Sequence, residues 1–351
     1  MPVTASQIAR ELGVSRQSVS KVLVGGKTNI RVSPDLANRI RRVADEMGYR
    51  PVTAARTIST GRTNSIDMLM STGSGASRLP TPLIEGIHDE LIARDMQLTV
   101  SRLPDHKLSD ADYVPKILRE HSADGILVNY THLFPEELPK LIERHELPAI
   151  WMNTKWTRDC IYPDETAGFR KATEHLLELG HTRISFNVLH TSGHFSETDR
   201  RAGYEQAMID AGLTPQVFHA GADWAHRYTD PEFDLEDDRL ERLRQWLSGP
   251  DRPTAVLAYA QRESDFIAYA AATLGLKLGR DLSLIGVSDF EGNRLGLPLT
   301  ELVLPYPELG RRAVEMLMVK IDQPSEEFPA ETVDMRLALG ASTGPPVDPE
   351  E

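Results

Sequence analysis

The sequence predicts a small all-α head that contains a helix-turn-helix, followed by a two-lobed α/β body with parallel sheets. Two capped helices joined by a tight turn stand near the N-terminus, and a third capped helix follows them. From Thr63 onward, short apolar strands alternate with helices, which predicts parallel sheets with right-handed crossovers. We expect a head at 1–50, a linker at 51–62, a body at 63–343, and a disordered, Pro-containing acidic tail at 344–351.

The composition excludes several classes of protein. A chain of 351 residues with 40% hydrophobic and 26% charged residues has ordinary globular composition, which argues against a disordered or fibrous protein. No apolar run approaches the ~18 residues of a membrane span, and no signal peptide is visible. The single cysteine, Cys160, cannot form an internal disulfide and fits a reducing compartment. We therefore expect a soluble cytoplasmic protein with no membrane partner.

The charge is distributed unevenly along the chain. The net charge is −13, yet residues 1–62 hold 11 of the 39 basic residues and only 4 of the 52 acidic ones, a balance of +7. The remaining 28 basic and 48 acidic residues give the rest of the chain a balance of −20. A basic head on an acidic body indicates that only the head has a polyanion as its partner.

The first two helices have sequence signals at both ends. Thr4 and Gln7 have the spacing of a capping box, and Gly13 suits the left-handed geometry that ends a helix. Ser15 is a favourable N-cap for the next helix, in which Val19 and Val22 share an apolar face with Leu23. The opposite face carries Arg16, Gln17, Ser20 and Lys21. Arginine suits guanine and glutamine suits adenine in a major groove, so this face is predicted to read bases.

A third helix completes the predicted head. Ser33 caps it, Pro34 suits its first position, and Gly48 ends it. Its arginines are expected in solvent or near phosphate rather than on bases: Arg39, Arg41 and Arg42. A three-helix bundle with no DNA role remains the alternative interpretation of this segment.

These motifs resemble the head of the lactose-repressor (LacI/GalR) family. The resemblance rests on residues 3–15 and 18–23, on 32–34, and on 47–51. One departure is Val24, where the family usually has Asn, followed by the long basic loop 25–31. Residues 52–60 resemble the family's hinge helix, which folds on operator DNA and enters the minor groove.

In that hinge, Ile58 stands where the family normally has Leu. An apolar wedge between base steps kinks the duplex, although the β-branch of Ile restricts χ1. Nine such residues cannot hold a helix alone, so a flexible linker in the free protein is equally compatible. The residues predicted to bind DNA are Thr4, Ser15, Arg16, Gln17, Ser20, Lys21, Lys27, Tyr49, Arg56 and Ile58.

The body is predicted from two similar series of strands and helices, which suggest two lobes with a cleft at the carboxyl ends of the strands. The predicted strands are 65–70, 97–100, 125–128, 149–152, 183–187, 217–219, 255–258 and 283–287. The predicted helices are 84–93, 114–121, 135–144, 167–179 and 201–211.

The family resemblance extends over the body, through blocks at 124–128, 175–184, 200–204 and 309–318. It implies a periplasmic-binding-protein-like body in which Arg200, the first residue of its block, contacts a small-molecule effector. The fork of an arginine suits a carboxylate, a phosphate or a sugar hydroxyl. The alternative for Arg200 is an exposed arginine at a helix start, without a partner.

Three departures argue against a typical pyranose as the effector. Ser288, with Asp289 next, occupies a usual Asp position, Ala260 and Gln261 align with an Asn-Asp pair, and Leu304 aligns with Gln. The residues predicted to contact the effector are Arg200, Ser288, Asp289, Ser196, Trp224, His190 and Tyr259.

The sequence therefore predicts a homodimeric transcription regulator, a repressor, that binds a pseudo-palindromic operator under effector control, without a cofactor or metal. The alternative is a sugar-binding or enzymatic α/β protein with an incidental N-terminal bundle. Neither of the two enzyme motifs that the sequence suggests is complete. Gly26-Lys27-Thr28 has Lys21 where a P-loop needs its first glycine, and 286–290 lacks the last glycine of a nucleophile elbow.

Overall fold

The computed structural model describes residues 3–25, 29–51, 57–58, 60–73, 76–108, 110, 113–131, 134–188, 193–219, 238–294 and 296–347. Within these ranges, no helix is long and apolar enough to cross a membrane. The described residues form a three-helix head and a body with two six-stranded sheets. The helix-turn-helix head and the two-lobed parallel architecture predicted above are both confirmed.

The head folds around a small apolar core. Ile8, Val19 and Ile40 are fully buried, one from each helix, and Ala44 packs beside them. Three helices bring these side chains together because each has an apolar stripe at helical spacing. The helices are α1 (Ala5–Leu12), α2 (Arg16–Leu23) and α3 (Pro34–Glu46).

The predicted caps of the head helices are present. The Thr4 N–H donates to Gln7 Oε1 at 2.8 Å, and the Ser18 N–H donates to Ser15 Oγ at 3.1 Å. Gly13 has a φ of 64°, so it ends α1 in the left-handed region that glycine favours. The two hydrogen bonds satisfy backbone donors at the helix starts, and Gly13 ends α1. Helix α2 therefore begins at a defined place after α1.

The first lobe contains a sheet of six parallel strands in the order β13-β5-β4-β3-β1-β2. Its central strands are buried on both faces, which explains their continuous apolar sequences. The strands are β1 (Ser65–Ser71), β2 (Gln97–Leu103), β3 (Gly125–Val128), β4 (Ala149–Met152), β5 (Cys160–Pro163) and β13 (Glu331–Val333).

The second lobe contains a sheet in the order β14-β12-β9-β8-β6-β7, parallel except where β14 pairs with β12. A short hairpin, β10 (Asn293–Arg294) with β11 (Leu297–Pro298), follows β9. The strands of the sheet are β6 (Ile184–Val188), β7 (Gln216–His219), β8 (Ala255–Ala258), β9 (Ser283–Ser288), β12 (Thr300–Val303) and β14 (Arg336–Ala338).

Nine described helices accompany the sheets. Those of the first lobe, in chain order, are α4 (Thr81–Ile92), α5 (Asp105–Leu108), α6 (Lys116–Arg119) and α7 (Glu137–Arg144). The second lobe has α8 (Glu165–Glu178), α9 (Phe195–Asp210), α10 (Arg239–Ser248) and α11 (Gln261–Thr273). The last, α12 (Tyr306–Asp322), packs on α4 and on the first sheet.

The described chain therefore crosses between the lobes three times: from β5 to α8, from β12 to α12, and from β13 to β14. Residues 309–318, one block of the family resemblance, lie within α12, which packs on the first lobe. Glycines let this helix approach α4 closely, since a Cβ on Gly310 would lie 2.7 Å from the Leu83 carbonyl oxygen.

Several predicted boundaries need correction. Helix α9 begins at Phe195, six residues before the predicted start at 201, because His194 Nδ1 accepts the Ser196 N–H at 3.3 Å and caps it. Helix α6 covers only Lys116–Arg119 of the predicted 114–121. Strands β5 and β12 and helix α11 were not predicted, since short or Ala-rich apolar segments have weak periodicity.

The backbone of Gly344, the first residue of the predicted tail, forms hydrogen bonds with the second lobe. The Gly344 N–H donates to Ser283 Oγ at 3.0 Å, and the Gly344 carbonyl oxygen lies 2.8 Å from His181 Nε2. Burial lowers the pKa of His181 below its ordinary value, so the ring is held in its neutral form. Residues 348–351 lie outside the described residues.

Candidate effector cleft and DNA-reading face

The two faces of α2 differ in the way the sequence predicts. Val19 has no exposed surface, whereas Arg16 and Gln17 are exposed at the beginning of the helix. Ser20 and Lys21 are half-buried beside them. The helix start therefore presents a guanidinium and an amide to solvent, which is the chemistry that reads guanine and adenine edges.

Other predicted DNA-binding residues lie around the head. Thr4 and Ser15 are exposed at the helix starts, while Tyr49 is half-buried and packs against the head core. Ile58 is 88% exposed, the largest exposed fraction among the large apolar side chains that the structure describes. Lys27 and Arg56 lie outside the described residues.

The candidate effector site is a cavity of about 320 Å³ between the two lobes. Both sheets contribute the segments that follow their carboxyl ends, where open α/β sheets bind ligands. The cavity is lined by Ser77, Arg78, Thr131, Asn153, Glu165, His194, Ser196, Arg200, Tyr259, Ala260, Gln261, Val287, Asp289, Leu304 and Tyr306.

Arg200 is buried in the cavity wall and paired with Glu165. Its Nε donates to Glu165 Oε2 and its Nη2 donates to Glu165 Oε1, both at 2.7 Å. Its Nη1 donates to the Tyr259 carbonyl oxygen. Burial disfavours the charged guanidinium, but the Glu165 carboxylate outweighs this effect and raises the pKa of Arg200 above its ordinary value.

Aromatic rings complete the surroundings of Arg200. The guanidinium carbon lies 4.9 Å from the centre of the Tyr259 ring and 5.5 Å from that of Phe169. Both distances are within the range of a cation–π interaction. The Tyr259 hydroxyl in turn lies 2.9 Å from Ser196 Oγ. Arg200 is thus held rigidly, and the alternative of an exposed arginine without a partner is wrong.

Polar contacts join the lobes at the cleft. Arg78 of the first lobe forms an ion pair with Asp289 of the second. Lys155 Nζ, after β4, lies 2.7 Å from Asp199 Oδ2 on α9. Each contact joins a residue of the first lobe to a residue of the second, so together they stabilise one arrangement of the lobes.

A third link between the lobes uses His194. Its Nδ1 accepts the Ser196 N–H, so Nε2 carries the proton and donates to the Asn153 carbonyl oxygen at 3.0 Å. His194 is not among the residues predicted to contact the effector. The sequence signal that could have indicated this role is the position of His194 directly before the polar start of a helix.

Four of the predicted effector residues come together in the cavity wall: Arg200, Ser196, Tyr259 and Asp289. Ser288 is buried and donates its hydroxyl to the Phe290 carbonyl oxygen at 2.6 Å, and it is absent from the cavity lining within the described part of the chain. His190 and Trp224 lie outside the described residues.

Two charged residues of the cavity were missed in the sequence analysis. Glu165 follows Asp164 directly after β5, a strand that was not predicted, so its place at the sheet edge was not apparent. Arg78 lies between β1 and α4 and meets Asp289 across 211 residues of sequence. No local pattern marks such a pair, because it depends on how the two lobes face each other.

Residues 173–343 match the family model of a periplasmic binding protein-like domain. The HTH-type transcriptional repressor PurR of Vibrio campbellii is 28% identical over 333 residues, which are 92% of this chain and 93% of that protein. The ribose operon repressor of Escherichia coli K12 is 26% identical over 331 residues, 92% of this chain and 94% of the relative. The chain is thus similar to these two repressors over about nine-tenths of its length. The resemblance to the lactose-repressor family is thereby confirmed.

Solved structures of the lactose-repressor family share the fold. The crystal structure of the lac repressor dimer bound to operator and the anti-inducer ONPF has a TM-score of 0.76 and 21% identity, and covers 98% of this chain and all of that one. A regulator of the same family from Rhizobium etli, with a TM-score of 0.65 and 23% identity, covers 81% of this chain and all of its own. The match to the lac repressor structure extends over the head and both lobes.

Proposed function

We propose that the chain is a homodimeric transcriptional repressor whose affinity for operator DNA is controlled by a small molecule bound between the lobes. The observation that carries this proposal is α2, which buries Val19 in the head core and exposes Arg16 and Gln17. The proposed repressor consists of a head at 1–50, a hinge at 51–62 and a body at 63–343. A regulator is favoured over an enzyme because the relatives over nine-tenths of the chain are repressors.

On DNA, the basic head supplies attraction to phosphate and α2 supplies base selection. One short helix reads few base pairs, so two heads on a pseudo-palindromic site are expected, with the body forming the dimer. Ile58 is proposed to enter the minor groove, since an exposed apolar side chain next to the head suits a wedge. An operator-binding role places the protein in the cytoplasm.

Coupling between the cleft and the hinge is proposed to use α12. Tyr306, the first residue of α12, lines the cavity, and Asp322, its last residue, accepts a hydrogen bond from Arg62 Nη2 at 2.7 Å. The effector favours one lobe arrangement, and α12 transmits that preference to the linker as a coupling free energy. The lac repressor structure, which is bound to operator and to the anti-inducer ONPF, supports a small-molecule ligand for a protein of this fold.

The proposal is tested first by base selectivity. Arg16→Ala and Gln17→Ala are expected to relax discrimination at one operator position each, by about 1–3 kcal/mol, because each removes a contact to a base edge. Fluorescence anisotropy on DNA from upstream of the gene, and on single-base variants of it, measures this. Arg42→Ala, exposed on α3, is the matched control and should weaken all sequences equally or not at all. Unchanged selectivity in both α2 variants contradicts the assignment.

A further inference from the structure

The charges that line the cleft balance one another. Four charged side chains face the cavity in its described lining, two arginines and two acids. Arg200 pairs with Glu165, and Arg78 pairs with Asp289. Each cation that a ligand anion would seek therefore already has a counter-charge supplied by the protein.

The Arg200–Glu165 pair is the stronger of the two. Its side chains are only 7% and 1% exposed, whereas the Arg78 side chain is 58% exposed. Two guanidinium nitrogens of Arg200 bind the two oxygens of Glu165, and the third binds the Tyr259 carbonyl oxygen. The parallel two-bond geometry is the one that a ligand carboxylate or phosphate would use, and Glu165 occupies it.

A ligand anion at Arg200 would therefore have to displace Glu165 or lie beside it. Displacement leaves a carboxylate without its cation in the protein interior, and coexistence places two like charges together where water screens them poorly. Glu165 cannot turn toward water from its position in the first turn of α8, because it is 2% exposed.

An uncharged ligand meets neither obstacle. The rest of the polar lining consists of hydroxyl and amide side chains, such as Asn153, Gln261 and Tyr306, beside the imidazole of His194. We propose that Glu165 sets the charge selectivity of the cleft: it neutralises Arg200, so the effector is an uncharged molecule with hydroxyl or amide groups, and carboxylates and phosphates are excluded. The inference rests on the proposed function and narrows the chemical class of its effector.

The first test uses the unaltered full-length protein. Isothermal calorimetry with matched sets compares a neutral compound with its own carboxylate and phosphate: glucose, glucuronate and glucose 6-phosphate; ribose and ribose 5-phosphate; adenosine and its monophosphate. In any set that binds, the neutral member is expected to bind at least tenfold more tightly. An anionic member that binds more tightly than its neutral parent overturns the inference, while operator binding, measured in parallel, leaves the proposed function standing.

The second test uses inorganic phosphate as the probe and does not depend on finding the effector. Glu165→Gln leaves Arg200 without its counter-charge, so phosphate should bind this variant at least tenfold more tightly than the parent protein. Glu178→Gln, on the exposed side of the same helix, is the matched control and should behave like the parent. Adding Arg200→Met to Glu165→Gln should abolish the gain.

One result in this second test overturns the inference. It is a Glu165→Gln protein that circular dichroism and melting show to be folded, yet that binds phosphate no more tightly than the parent protein. If that variant does not fold, the matched ligand sets on the parent protein decide alone. Failure of the parent protein to bind operator DNA would instead count against the proposed function. The phosphate measurement is separate from that outcome, because it involves only the cleft.

Discussion

Single residues in this protein carry charge in places where burial makes charge expensive, and they differ in how it is compensated. Arg200 and Glu165 compensate each other through two hydrogen bonds. Asp67, on β1, is 1% exposed and accepts one hydrogen bond from Thr99 Oγ1 at 2.6 Å, while its other oxygen is buried without a hydrogen-bond partner among the described residues. Burial therefore raises the pKa of Asp67 above its ordinary value, although the hydrogen bond from Thr99 and the nearby Ser101 side chain oppose this.

The raised pKa fixes the sign of a stability prediction for Asp67. Below the unfolded-state pKa of about 4 the group is protonated in both states and carries no penalty, and the penalty grows as pH rises through the higher folded-state pKa. Asp67→Asn should therefore raise the free energy of unfolding at pH 7 by about 1 kcal/mol, with less gain at pH 4.5. Urea unfolding at the two pH values measures it.

Asp89→Asn, an exposed acid on α4, is the control and should change stability little at either pH. A loss of stability in Asp67→Asn at pH 7 would mean that its lone hydrogen bond outweighs the desolvation of the charge.

At the scale of elements, the packing of α12 on α4 depends on glycine at the contact. A Cβ on Gly86 would lie 2.1 Å from the Pro307 carbonyl oxygen, and one on Gly310 would lie 2.7 Å from that of Leu83. Backbone atoms cannot move aside as a flexible side chain can, so even a methyl group separates these helices. This contact matters for function because α12 connects the cavity with the linker at Arg62.

Gly310→Ala should destabilise the protein by about 1–3 kcal/mol, because the clash exceeds the gain of about 1 kcal/mol that alanine brings to a helix. Thermal unfolding followed by circular dichroism measures the change. Gly249→Ala is the matched control, since its Cβ would have its nearest neighbours at 3.5 Å, an ordinary contact. A Gly310→Ala protein as stable as the parent would show that the helices move apart at little cost.

At the scale of the whole molecule, the lobes are joined by three chain crossings and by polar contacts at the cleft. The pairs Arg78–Asp289 and Lys155–Asp199 and the bond from His194 to Asn153 all span the two lobes. Half-exposed ion pairs contribute little to global stability. Their effect is instead on which lobe arrangement is populated, and a ligand that favours the other arrangement has to break them.

Asp289→Asn should therefore loosen the cleft without unfolding the protein. Amide hydrogen exchange of segments 76–80 and 286–291 is expected to rise several-fold, while the free energy of unfolding changes by less than about 1 kcal/mol. Glu174→Gln removes an ion pair with Arg170 inside one lobe and should leave exchange at the cleft unchanged. Equal exchange in Asp289→Asn and the parent would contradict a role for this pair in holding the lobes.

Local sequence determined much of this protein. Helix α2 was predicted from Ser15 and Gly13, and β3, β4 and β8 have the predicted bounds, because caps, turns and continuous apolar segments act over a few residues. The exposed position of Arg16 follows from the same short-range patterns.

Only the tertiary structure decided what surrounds Arg200. The sequence marked this arginine as a ligand contact through a family motif, but its partner Glu165 lies 35 residues away on another helix. Arg78 and Asp289 likewise meet only when both lobes are assembled. Ion pairing depends on distance in space, which the order of residues along the chain does not reveal, so the charge of the cleft became visible only in the folded molecule.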